Sequence, residues 1–412
     1  MLRCTPTSMR YREVDGEVKE PAVSVFRQHK GLGMDLLTAR WNRSSGWSTP
    51  LPAWDGPGTL VLVFGSSGLL DDDTDLRPVV DAFPRSAIIG CSTSGEILDS
   101  SVYDESLTVA VARFERTALA LEVEPVSQSS SAEAGRKIGT RLRERGDDLA
   151  AVFVLSEGLD INGSTLAEGL TEGTGGSVVI TGGLAGDDTR FERTWVLVNG
   201  RPQTAHVTAV GLYGSALEVG HGYEGGWTVL GTERVITRSE GNVLLEMDGR
   251  PALELYKTYL GERASGLPAT ALLFPLAIRT SRGAGDVLVR TILAVDESRQ
   301  SMTFAGDVPL GSTTQLMRGT TEGLVDAAQF AAASARLSGD EQSLAIAVSC
   351  IGRRLYLGQR VEDELEAVKS GLGSKCGIVG FYSYGELSPV AAGTCGLHNQ
   401  TMTITVFGER AA

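Results

Sequence analysis

Three short segments place glycines, small hydroxyl residues and an acid at the end of an apolar run. "IIGCSTSGEI" spans Ile88–Ile97, "ITGGLAGDD" spans Ile180–Asp188 and "IVGFYSYGEL" spans Ile378–Leu387. In the first, Gly90 and Gly95 permit a tight bend, and Ser92, Thr93 and Ser94 keep it uncrowded. Successive amides in such a turn can form a nest for an anion. Glu96 can accept from those amides or from a ligand's amine. An amide nest beside a carboxylate suits a small zwitterion such as an amino acid. The same residues equally suit a turn that caps itself, with the acid bonded to its own backbone. Asp187 holds the acid's place in the second segment. In the third, Tyr382 and Tyr384 stand beside Gly385 and Glu386 and could wall a pocket. In "GLHNQT", His398 and Asn399 offer polar side chains just before a strand, for ligand recognition or for closing the loop.

Cys91 follows Gly90 at the strand end, where a thiol can have a lowered pKa. The aligned positions, Gly183 and Phe381, supply no base. A buried small hydrophobe is the plainer reading, and a thiol enzyme using Cys91 is kept as an alternative. Asp187 and Asp188 lack the further ligands a metal site needs. Neither a P-loop nor a dinucleotide fingerprint occurs, and HExxH and GxSxG are also missing. The chain therefore reads as a binding protein, with no catalytic or metal-binding residue to name.

Regular elements must position these turns. "TLVLVFGSS", "LAAVFVLSEG" and "SLAIAVSCIG" are short apolar runs of the kind that form buried strands. Helical spacing follows in "DLRPVVDAF", "GSTLAEGLTEG" and "VEDELEAVKSGL". After each turn comes a closing strand: "SLTVAVARFE", "HVTAVGLYG" or "TMTITVFGER". Aligned on this order, Gly90, Gly182 and Gly380 coincide. So do Gly95, Gly186 and Gly385, the acids Glu96, Asp187 and Glu386, and the threonines Thr108, Thr208 and Thr403. The pattern predicts an α/β fold of mixed sheets covered by helices, built from internally duplicated α-β-α-β-β units. Residues 1–35 read as a weakly ordered lead-in, 36–225 as an N-terminal domain and 226–412 as a C-terminal domain. Pro251 should open a helix, and residues 286–308 should form a hairpin.

The 412 residues carry a net charge of −14 and show no Lys/Arg cluster, which argues against nucleic acid. No apolar stretch is long enough to span a membrane, and the polar N-terminus lacks a secretion signal. The five cysteines are widely spaced, with no CxxC pair, which fits a reducing cytoplasm.

"IIGCSTSGEI", "ITGGLAGDD", "GWTVLG", "LLEMDGRPALELY", "VRTILAVDESRQSMTFAGDVPLG" and "GFYSYGEL…HNQTMTITVF" resemble, in order, the blocks of FIST-domain proteins. The resemblance implies tandem N-terminal and C-terminal FIST domains forming a cytoplasmic sensory module. Its ligand would be small, an amino acid or derivative. Because no output module follows Arg410, the signal is expected to pass to a separate protein such as a histidine kinase. The resemblance also leaves an alternative, a haem-binding nitric-oxide sensor. Haem iron commonly takes an axial histidine, and His206 and His398 are candidates by residue type.

Overall fold

The computed structural model describes residues 33–279, 287–339, 341–390 and 393–410. Its main body is three sheets around one core. Each sheet centres on a strand buried along nearly all its length: Thr59–Gly65, Leu149–Ser156 and Ser343–Cys350. Each central strand pairs in parallel with the one before the glycine turn: Ala87–Ser92, Val179–Leu184 and Cys376–Ser383. On its other side each pairs antiparallel with the closing strand: Leu107–Phe114, His206–Tyr213 and Met402–Glu409.

Alternation along these strands divides the core. Leu60, Leu62 and Phe64 of the first strand meet Ala151, Phe153 and Leu155 of the second in one shared cluster. Leu344, Ile346 and Val348 of the third complete it. The intervening residues face outward, each set against its own helical layer. Val61 and Val63 pack with Val79 of the helix Arg77–Ala82. Val152 and Val154 meet Ile138 and Leu166 of the helices Ser131–Arg145 and Gly163–Thr174. Ala345 and Ala347 meet Ala331 and Leu365 of the helices Thr321–Ala335 and Val361–Leu372. Polar caps fix two of these helices: Asn162 accepts from the amides of Ser164 and Thr165, and Thr320 from that of Gly323.

The repeat alignment holds in the register. Gly90 lies opposite Val63, Gly182 opposite Val154 and Gly380 opposite Ala347. A Cβ on these glycines would sit 2.3, 1.9 and 1.9 Å from the carbonyl oxygens of those same three partners. Thr108, Thr208 and Thr403 likewise face equivalent residues, Phe64, Leu155 and Val348.

Past each turn the chain leaves its own sheet. The hairpin Glu96–Leu98/Ser101–Tyr103 extends the third sheet, pairing Glu96 with Phe381. The hairpin Gly385–Pro389/Cys395–His398 extends the second sheet, pairing Glu386 with Gly183. The hairpin Val196–Val198/Arg201–Gln203 extends the first, pairing Val196 with Cys91. The exchange is cyclic: each repeat completes a neighbour and is completed by the other. It also corrects the alignment of acids. Glu96 and Glu386 each face the residue after the repeat glycine, and in the middle repeat that place belongs to Val196. Asp187 sits in a longer loop ahead of it.

A fourth sheet, from Thr228–Glu240 to Thr313–Arg318, is inserted between the strand Leu217–Glu224 and the helix Thr321–Ala335. It encloses its own core around the helix Ala252–Leu260, with Tyr256, Met302 and Phe304 buried. Pro251 immediately precedes that helix, and Ile292–Asp296 pairs with Ser301–Phe304, as the sequence indicated. Side chains fasten this sheet to the body. Arg290 donates to the Leu397 carbonyl (3.2 Å), Gln400 to the Leu272 carbonyl (2.9 Å) and Asn162 to Asp307 (2.7 Å). The strand Met34–Asn42 starts within the stretch read as a lead-in, and residues 1–32 lie outside the described residues.

Because a methyl group at Gly380 would collide with backbone, relief requires parting two central strands. Gly380→Ala should destabilise the fold by about 3 kcal/mol or more, read as a lower urea midpoint. An unchanged midpoint would contradict the close strand approach.

Candidate functional site

The first turn satisfies itself to an extent the sequence left open. The amide of Ser92 donates to the Trp195 carbonyl (2.9 Å), that of Thr93 to Gly65 (3.0 Å) and that of Ser94 to Tyr382 (2.8 Å). The Gly95 amide donates to the Thr93 hydroxyl (3.1 Å). These amides are committed to neighbouring chain, so the expected anion nest does not form.

The acids are enclosed as well. Glu96 Oε1 accepts from the Thr93 hydroxyl at 2.5 Å, and Oε2 from the Ser106 hydroxyl and amide at 2.9 and 3.1 Å. Glu386 repeats the arrangement with the Ser383 hydroxyl (2.6 Å) and with the Thr401 hydroxyl and amide (2.8 and 3.2 Å). In each case the carboxyl ties the turn to the start of its closing strand. Burial pushes both carboxyls up to about 7, while the hydroxyl donors pull the other way. Asp187 caps its own loop, accepting from the amides of Phe191, Glu192 and Arg193, each at 3.0 Å, and from the Tyr384 hydroxyl.

The remaining sequence candidates divide between core and clefts. Gly90 and Gly385 serve strand pairing, and Ser92 Oγ accepts from the Trp195 amide (3.0 Å). Cys91 lies in the central core, where burial raises its thiol pKa, the opposite of the lowered value that marks a reactive thiol. Tyr382 is buried and donates to Glu364 (2.7 Å). Tyr384 stacks on Phe191 with ring centroids 4.7 Å apart. The aromatic wall is therefore internal packing. His398 and Asn399 line a cleft of about 430 Å³ beside Trp227.

The two histidines named for haem each engage a backbone carbonyl through one ring nitrogen. His398 turns Nε2 to the Ser388 carbonyl (3.4 Å), and its ring lies 4.0 Å from that of Tyr223. His206 holds Nδ1 against the Thr204 carbonyl at 2.7 Å. No role is derived for haem. Among the described residues, no cluster of three or more His, Cys, Asp or Glu could hold a metal ion.

Thr93, Gly95 and Glu96 do open onto a cleft, of about 720 Å³, that all three repeats build. The first repeat supplies the turn and Asp104, the middle repeat the loop Asp188–Arg190, and the third Arg354 and the start of the helix Val361–Leu372. Arg354 grips Asp104 through two nitrogens (2.9 and 2.7 Å) and also donates to the Ser94 carbonyl. Such a fork pairing fixes both side chains.

Asp188 and Arg190 remain, with the exposed Glu105 at the rim. Asp188 has positive φ (64°), held there by its amide donating to Ser94 Oγ (2.9 Å) and its carbonyl accepting from Tyr384 (2.8 Å). Arg190 donates to Ser67 Oγ at 3.1 Å. Among the described residues neither enters a salt bridge. Asp188 was visible in "AGDD" only as a turn acid. Arg190, Arg354 and Asp104 went unread because they come from different repeats and share no sequence pattern.

Both turn carboxyls bind a proton more tightly in the folded chain than at the ordinary value of 4.5. Their contribution is fully present below that value and is lost as pH rises through about 7. Glu96→Gln and Glu386→Gln should each remove one carboxyl's share of that slope and stabilise the chain at pH 8, by about 3 kcal/mol at most. Denaturation curves at pH 5 and pH 8 check this; an undiminished slope would exclude these carboxyls as its source.

Comparison with known proteins agrees with the resemblance read from the turns. A protein of Mycobacterium tuberculosis, itself uncharacterised, is 24% identical over 368 residues, covering 85% of this chain and 92% of that protein. An uncharacterised protein of Methanocaldococcus jannaschii is 27% identical over 229 residues, covering 50% of this chain and 42% of its own length. Among solved structures, a chorismatase aligns with TM-score 0.35 at 12% identity, covering 92% of this chain and 99% of the other. A cyanuric acid hydrolase aligns with TM-score 0.34 at 9% identity, over 92% and 100%. Likenesses this weak carry nothing about activity. No helix among the described residues is long and apolar enough to cross a membrane. The chain matches the FIST N domain over residues 59–250 and the FIST C domain over residues 252–389, domains that are generally sensory. It belongs to the FIST family.

Proposed function

We propose that the cleft shared by the three repeats binds a small zwitterion, an amino acid or close derivative, as the input of a sensory protein. The observation that carries this reading is the loop Asp188–Arg190. It presents one carboxylate and one guanidinium, without salt-bridge partners, to a cleft where Arg354 and Asp104 are already paired. An α-ammonium would pair with Asp188 and an α-carboxylate with Arg190, both charge-assisted contacts. Asp188 keeps an uncommon backbone conformation for a non-glycine residue, which is tolerated where neighbours enforce it. The reading moves ligand recognition from Glu96 and Glu386 to these two residues and assigns the protein no chemistry of its own.

The signalling step follows from the walls. A ligand held by the middle-repeat loop and resting on the first turn and the third-repeat helices favours whichever arrangement of the three suits it. To shift a population decisively it must prefer one state by several kcal/mol. A separate protein, such as a histidine kinase, would read that shift.

Calorimetric titration of the amino acids tests the site. At least one should bind, and Asp188→Asn or Arg190→Gln should weaken it tenfold or more, about 1.4 kcal/mol or greater. Binding of none, or equal binding by both variants, would overturn the assignment.

A further inference from the structure

A second, larger groove lies where the inserted sheet meets the third repeat. It measures about 950 Å³, and its walls include Leu230, Arg263, Phe274, Arg318, Thr320 and Tyr356. The chain has 51 acidic against 37 basic residues, yet no carboxylate lines this groove. Among the described residues neither Arg263 nor Arg318 enters a salt bridge. An acid-free cavity with two guanidinium groups creates a positive potential on an acidic protein.

The apolar part of the groove is equally defined. Arg263 lies over the Phe274 ring, 5.3 Å from its centroid, which sets the guanidinium beside an aromatic surface. Tyr356 donates its hydroxyl to the Gly319 carbonyl at 2.6 Å, fixing its ring at the groove's wall. Leu230 is 39% exposed here. Thr320 caps the 15-residue helix Thr321–Ala335, so the positive end of that helix also meets the groove.

We propose that this groove binds a small aromatic oxyanion, with its charged end between Arg263 and Arg318 and its flat body against Phe274, Tyr356 and Leu230. The site is distinct from the zwitterion cleft in residues, charge and place. It bridges the inserted sheet and the third repeat, so an occupant would tie the two together.

Saturation-transfer NMR and calorimetry on the full chain test it with four probes: phenyl phosphate, benzoate, neutral benzamide and cationic benzylamine. Phenyl phosphate and benzoate should bind, benzamide about tenfold more weakly and benzylamine not at all. The stronger of the two anions identifies phosphate or carboxylate as the preferred head group. Arg263→Gln and Arg318→Gln should each weaken anion binding about tenfold, with an unchanged melting temperature because both side chains are exposed. Arg190→Gln, in the other cleft, should leave these probes unaffected. Equal binding of benzamide and benzoate, unchanged anion binding when both arginines are replaced, or no binding of either anion at millimolar concentration would each overturn the proposal.

Discussion

Cyclic exchange of hairpins between the three repeats is the constraint on which the rest of the architecture depends. Each central sheet owns three core strands but borrows the next from another repeat. The borrowed strand must run against the one carrying the repeat glycine. That strand in turn lies so close to its parallel neighbour that a side chain at the glycine would strike a carbonyl. Glu96 and Glu386 stand where the donated hairpin begins. Their carboxyls hold the turn behind and the closing strand ahead at once. Burying an acid there is unfavourable, which its raised pKa reflects, and three donors offset part of the cost.

The repeats were legible in the sequence because buried central strands have a strong signature and the glycines recur at a fixed place in them. Thr108, Thr208 and Thr403 aligned correctly for the same reason. Asp187 did not. A hand alignment prizes an acid after a glycine, whereas the fold places equivalence in the residue that faces Cys91, and that residue is Val196. The donated hairpins of the first two repeats, with strands of only three residues, carry too little periodicity to be read. What makes them strands is a partner far away in the chain.

The candidate site divides along the same line. Thr93, Gly95 and Glu96 were found because the turn is local, and the chemistry expected of its amides failed because their own repeat and its neighbours had already claimed them. Asp188, Arg190 and Arg354 complete the cleft only after three repeats come together. A further network, equally invisible locally, anchors the third repeat. Arg353 and Glu364 are fully buried and paired at 3.0 Å, and Arg353 also donates to the carbonyls of Leu324 and Gly225. Such a pair is strongly destabilising to break, because each charge would be left without its partner.

The ring of borrowed hairpins also bears on how the chain is made. As the first repeat leaves the ribosome, the open side of Ala87–Ser92 has no strand to meet until Val196–Val198 emerges. The hairpin after Glu96 must wait for Cys376–Ser383, some 280 residues later. Pairings so distant in the chain form slowly, and an unmet strand edge on a nascent chain invites the wrong partner. The order in which the ring can close thus sets how long each strand edge stays unmet.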